Sequence, residues 1–213
     1  MKLNVWSKVG VAVQTLLATA VAITGITKAN PAVASATAHG FNNTDVLLLN
    51  CNGMRQLDWA VVRVANKSTD SFECEGVDAT TFDTFVSGTA KKITFGANAA
   101  TFQDVSPSGG EAADIEIKTI HDDQDRAIPG NRTPLKFSFG SLWDLGDPAL
   151  QALAAFDATK SPGAIALKFA TGDVVYFAAY PSVSMAPGGT SGNVVTTPVS
   201  LRVAGRLTTY AGA

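Results

Sequence analysis

Apolar and polar positions alternate along this chain in short bursts broken by turn residues, the period-2 pattern of strands with one buried face. Val9, Val11 and Val13 alternate at the start. Ile23 and Ile26 lead into the turn signal Ala29-Asn30-Pro31-Ala32, and Val33 to Thr37 returns, so residues 22–40 read as a hairpin. His39 to Asp45 is a second turn, Val46 to Leu49 a buried strand and Asn50 to Gly53 a third turn. Val61, Val62 and Val64 form the next strand, and Phe72 to Glu75 pairs back after a turn at 66–70. Strands recurring every 8 to 12 residues or so have the rhythm of a small barrel or sandwich.

The polar, Thr-rich stretch 80–88, with Phe82 and Phe85, reads as a link or an edge. Ile93-Thr94-Phe95 opens a second section. It continues through Phe102 to Val105, a Ser-Pro-Ser-Gly-Gly loop at 106–110, and a bulged strand marked by Ile115, Ile117 and Ile120. His121 to Thr133 reads as a long polar loop, and loops of that size are usually functional. Leu135 to Trp143 is a strand with Phe137 and Phe139 on one face.

One helix is predicted, over about 147–159. Asp147 is a good N-cap, Pro148 takes the first helical position, and Leu150, Leu153 and Ala154 share a face. Ser161-Pro162-Gly163 ends it. A hairpin follows: Ile165 to Phe169, a Gly172-Asp173 turn, then Val174 to Tyr180. After a loop at 186–192, Val199-Leu201-Val203 alternates and Gly205-Arg206-Leu207-Thr208 closes the chain. The helix sits among strands instead of alternating with them, which indicates a mainly β (α+β) fold.

At 213 residues the chain suits one large β domain or two small ones. The division expected is residues 1–21 as an N-terminal strand or arm, 22–92 as an inserted small β module, and 93–213 as the core domain. Charged residues are 16%, below the roughly 25% of an average globular protein, which hints at a surface covered by something else. With net charge −2 and Lys and Arg scattered singly apart from Lys91-Lys92, there is no basic footprint for gripping nucleic acid. Cys51 and Cys74 are too few for a disulfide scaffold, form no C-x-x-C zinc pair, and read as small buried residues.

Candidate chemistry is sparse. His121-Asp122-Asp123 with Asp125 is the only dense polar cluster, and it lacks the spacing and glycine hinge of a calcium loop. His39 lies beside Gly40 in a turn, where a structural role is expected, and there is no G-x-S-x-G elbow. No P-loop, G-x-G-x-x-G or H-E-x-x-H is present. Gly188 to Gly192 is not followed by a lysine or a helix pattern, so it is a loop and not a phosphate cradle. Trp59 and Trp143 read as core or interface aromatics, with the core favoured for Trp143. An enzyme is not expected, nor a cofactor or metal.

The order of parts resembles the tail tube (major tail) protein family of long-tailed bacteriophages, over about residues 93–210. The series is Thr119-Ile120-His121-Asp122-Asp123, then Leu135 to Trp143, then Asp147-Pro148-Ala149-Leu150-Gln151-Ala152-Leu153, then Ala164 to Tyr180, then Pro198 to Thr209. Ile26 to Gly40 with Gly53-Met54 is similar to a small β module of phage structural proteins, although Thr44-Asp45 stands where that module has a Gly-Asp turn. The resemblance implies a curved tail-tube-type β-sandwich with one flanking helix, in a structural subunit of six-membered rings stacked into a tube. The inner sheet would line a neutral-to-negative channel for the tape-measure protein and then double-stranded DNA during ejection. Further partners would be the tail terminator and distal tail proteins, in a virion tail assembled in the host cytoplasm without a membrane. The fold is shared with secretion-system and contractile-tail tubes, so it does not fix the machine. Candidate subunit contacts are His121, Asp122, Asp123, Asp125, Arg126, Arg132 and Arg206, and the 22–92 module would lie on the tube exterior.

Residues 1–36 support an alternative. Lys2 and Lys8, the apolar run from Val9 to Ile26 and Ala34-Ser35-Ala36 fit a secretory leader, and the mature protein would be an adhesin-like β-sandwich binding module. Against it stand the late Lys8 after Trp6, the polar residues Gln14, Thr15, Thr19 and Thr24, and the alternating valines.

Overall fold

The computed structural model describes residue 4 and residues 6–121, 123, 124 and 126–212. Its first eight strands are β1 (Gly10–Leu17), β2 (Val21–Ile23), β3 (Gly25–Ile26), β4 (Ala32–Ser35), β5 (Val46–Asn52), β6 (Val61–Ala65), β7 (Ser71–Cys74) and β8 (Ser87–Ala99). Only Thr24 separates β2 from β3. The first pairs with β8 and the second with β4, so together they act as one strand bent at a corner. The remaining pairings, β4 with β7, β7 with β6, β6 with β5 and β5 with β8, close the circuit. The result is a six-stranded antiparallel barrel, and closure leaves it no edge to pair with strangers. Leu47, Leu49, Met54, Leu57, Val62, Phe72 and both cysteines fill its interior. The stretch 80–88 is a lid as well as a link, since Phe82 is buried and Phe85 packs against the same core.

The strand β8 belongs to two structures. Residues 87–92 pair with β5 and residues 93–99 pair with β1, so the strand changes partner without a break. Register shifts flank Gln14 on β1, where the ladder adapts.

The rest comprises β9 (Phe102–Ser108), β10 (Ala112–Ile117), β11 (Arg126–Arg132), β12 (Lys136–Leu142), α1 (Pro148–Thr159), β13 (Gly163–Lys168), β14 (Val174–Val183), β15 (Thr196–Val203) and β16 (Thr208–Tyr210). Seven strands run in the order β8, β1, β13, β14, β15, β12, β9, with β16 added to β14. The first and last of these are joined by residues 100 and 101 alone, a span too short to cross a flat sheet. The sheet therefore rolls around a core of Val11, Val13, Phe139, Ile165, Phe177 and Leu201, with Leu150 and Leu153 of α1 packed into it.

The helix starts where its cap dictates. One Asp147 carboxylate oxygen accepts from the N–H groups of Ala149 (2.8 Å) and Leu150 (3.0 Å). The other accepts from the Ala100 N–H (3.0 Å) and the Thr101 hydroxyl (2.8 Å). The cap thus also anchors the 100–101 link. Burial alone would raise this carboxyl's pKa, but the four hydrogen bonds outweigh it and hold the group below its ordinary value.

Two motif glycines have steric reasons. A side chain on Gly53, at φ +84°, would meet the Thr84 carbonyl at 2.3 Å. One on Gly205 would meet the Trp59 carbonyl at 2.5 Å, where the C-terminal segment crosses the barrel.

Candidate assembly surfaces

Between β9 and β12 the chain leaves the rolled sheet altogether. The strands β10 and β11 form a separate two-stranded sheet. This differs from the long polar loop expected over 121–133, because Arg126–Arg132 is a strand. Pro129-Gly130 lies at a bulge, with Ala113 of β10 opposite both Gly130 and Asn131 of β11 between the Ala112–Arg132 and Asp114–Pro129 pairs. Ile115 lies opposite Ile128, and Ile117 opposite Arg126, so one face of the hairpin is apolar. Asp114 and Glu116 belong to the other face. Among the described residues nothing covers the isoleucines, which are 40–52% exposed, and Ile120 beyond them is 97% exposed. An isolated hairpin is marginal in water, so an apolar face on one calls for a partner.

The candidate contact residues divide between the two ends of this hairpin. His121 and Asp123 lie exposed at the turn and Arg126 begins the returning strand, while Asp122 and Asp125 fall outside the described residues. Arg132 stands at the root, where its guanidinium donates to the Gly110 carbonyl at 3.0 Å. There it shares a groove of about 800 Å³ with Arg206, Glu111, Leu135 and Leu207. Arg206 also lies over the Phe82 ring, 5.5 Å from its centre. The fold therefore gathers Arg132 and Arg206 at the root and keeps them apart from His121 and Asp123 at the turn.

A second surface lies on the rolled sheet. Register places Ser182, Ser200, Ser138 and Ser106 in one row across β14, β15, β12 and β9. The adjacent row holds Tyr180, Arg202, Lys136 and Ser108, and on the other side Pro198, Gly140 and Asp104 are in register. Their strand neighbours Phe139, Val199 and Leu201 are buried inward, so this serine-rich face points out. No single residue in the sequence marks it, since only the register of four strands assembles it.

The third surface is apolar. Trp143 is 37% exposed, correcting its expected place in the core. It follows the end of β12, and its ring N–H donates to the Met185 carbonyl while its main-chain N–H donates to that of Val195, both at 2.9 Å. Leu145, Val194 and Val195 are exposed beside it.

His39 has the structural role expected of it. Its Nδ1 accepts from the Phe41 N–H at 3.0 Å, which leaves Nε2 to donate to the Ser71 carbonyl at 3.2 Å. The ring stacks on Phe41 and meets Phe72 edge-on. No group of three or more metal-ligating side chains occurs among the described residues. No helix among them is long and apolar enough to cross a membrane.

Two comparisons bear on these surfaces. No curated protein matches the chain. A family model described as phage tail tube protein, TTP, matches residues 52–212, from the end of β5 through β16.

Proposed function

The chain belongs to the phage tail tube protein family, and we propose that it forms six-membered rings that stack into the tube through which DNA is ejected. Membership makes it a structural component of the virion tail. The finer reading rests on one observation, the uncovered small-polar face of β14, β15, β12 and β9. Apart from Tyr180 at its β14 edge and Pro198, that face is built of serines, a glycine and three charged side chains, so it gains little from burial. It suits a wet channel wall past which the tape-measure protein and then DNA slide. With two cations and one acid, that wall is closer to neutral than to negative.

The same orientation sends the barrel outward. Leu48, Val61 and Trp59 of the barrel region pack with Ala12, Ala164, Ala166, Ala178 and Tyr176 on the outside of β1, β13 and β14. With the serine face inward, residues 22–92 decorate the tube exterior and 93–213 with the 1–21 arm form its wall. The hairpin reaches the neighbouring ring. Stacked rings are head-to-tail assemblies whose contacts do not close, so the ends of the tube are left for the tail terminator and distal tail proteins. Assembly takes place in the host cytoplasm.

The secreted alternative meets a physical obstacle. A cut after Ala36 would remove β1, which is paired on both sides, along with β2, β3 and β4. Electron microscopy of the purified full-length protein across a concentration series tests the tube reading. Hollow tubes or stacked rings are expected, and particles that stay monomeric at every concentration would overturn it. Intact mass would show whether the first 36 residues are lost, as the alternative requires.

A further inference from the structure

The hairpin and the Trp143 patch lie at opposite ends of the same strand. The hairpin enters β12 at Lys136 and the patch begins one residue beyond its end at Leu142. A seven-residue strand separates them by about 24 Å along its axis. The partner strand β15 repeats the arrangement, because Thr196, next to Val195, pairs with Leu142 while Arg202 pairs with Lys136. Each subunit thus carries one uncovered apolar surface at either end of one direction.

We propose that the apolar hairpin face of one copy, Ile115, Ile117 and Ile128, seats on Trp143, Leu145, Val194 and Val195 of the next. This deepens the tube reading and rests on it. Charge agrees with the pairing: Arg126 is the cation on the hairpin's apolar face, and exposed Asp144 is the acid within the patch. Size selects the occupant. Such a contact buries on the order of 800 Å², below the roughly 1,200 Å² at which a specific pair holds together. It is too small for a lone soluble partner. It is adequate when a ring presents several copies at once, because every contact after the first is intramolecular. A head-to-tail contact of this kind also stacks without closing.

The test uses full-length protein under conditions where the wild type stacks, read by negative-stain microscopy and sedimentation. The double variant L145D/V194D should give separate rings with an unchanged melting temperature, since both side chains are exposed. R126D and D144R should each weaken stacking, and the two together should restore it. Independently of these, mixing I117C with V194C and adding a short bis-maleimide should yield dimers that neither variant yields alone. The native cysteines are buried and should not compete. If L145D/V194D stacks like the wild type, if it loses rings as well as stacks, or if stacked material gives no mixed dimer, this pairing is overturned while the tube reading stands. A wild type forming neither rings nor stacks overturns both.

Discussion

The main-chain N–H of Arg63 donates to the hydroxyl of Tyr210 at 2.8 Å, joining the barrel to the last strand of the rolled sheet. The Arg63 guanidinium lies over the same ring, 4.4 Å from its centre, and is paired with Glu75. Beside it the Thr208 hydroxyl donates to the Val61 carbonyl. The strand β16 is therefore held by β14 on one edge and by the barrel on the other.

Tyr210→Phe tests that junction. The ring remains, but the Arg63 N–H loses its acceptor in a part-buried position. We expect a loss of about 1–2 kcal/mol. For a chain of this length that lowers the melting temperature by roughly 2–8 °C. Thermal unfolding followed by circular dichroism decides it, and an unchanged midpoint would mean that water replaces the hydroxyl freely.

Asp147 couples the helix start to the link that rolls the sheet. Asp147→Ala removes the cap and strands the Ala100 N–H and the Thr101 hydroxyl, so a loss of about 2–4 kcal/mol is expected in denaturant titration. Its folded-state pKa lies below the ordinary 3.8, so its contribution is present above that value and fades as pH falls through the folded one. Replacement by Asn should flatten the acid limb of the stability profile.

The buried cysteines set an alkaline limit. Burial pushes both thiols from 9.0 up to about 12, and nearby Asp58 adds to the effect at Cys51, as Cys51 itself does at Cys74. A raised folded-state pKa means stability that is complete below 9.0 and is lost as pH rises toward 12. Substituting Cys51→Ala and Cys74→Ala should remove much of that alkaline loss, at the cost of small cavities at neutral pH. Melting temperatures across the alkaline range would show it.

Ile115 and Ile128 face each other across the hairpin, about half exposed. The variant I115D/I128D should leave the melting temperature of the barrel and rolled sheet within experimental error, as exposed substitutions generally do. It should nonetheless abolish stacking in the microscope. Normal tubes from this variant would remove the hairpin from the ring-to-ring contact.

Sequence alone determined the local elements, because each was encoded by neighbours. Asp147-Pro148 fixed the helix start, since cap and first-turn geometry involve only adjacent residues. Alternation marked β1 and β15, and Phe137 and Phe139 do share a face, with ring centres 6.4 Å apart. Long-range pairing decided the rest. Arg126–Arg132 has no strand pattern of its own and is extended only because β10 lies beside it. Trp143 reads as core by composition, but it falls one residue past its strand, outside the packed interior. Thr24 closes the barrel only because β8 and β4 sit on either side of the bend. The serine row takes one residue from each of four strands between Ser106 and Ser200, and the described candidate contact residues fall toward the two ends of a hairpin absent from the local pattern. A pattern read along the chain records which face of a strand is buried. Which strands adjoin, and therefore which surfaces are left for another copy to cover, is decided by the free energy of the whole folded sheet.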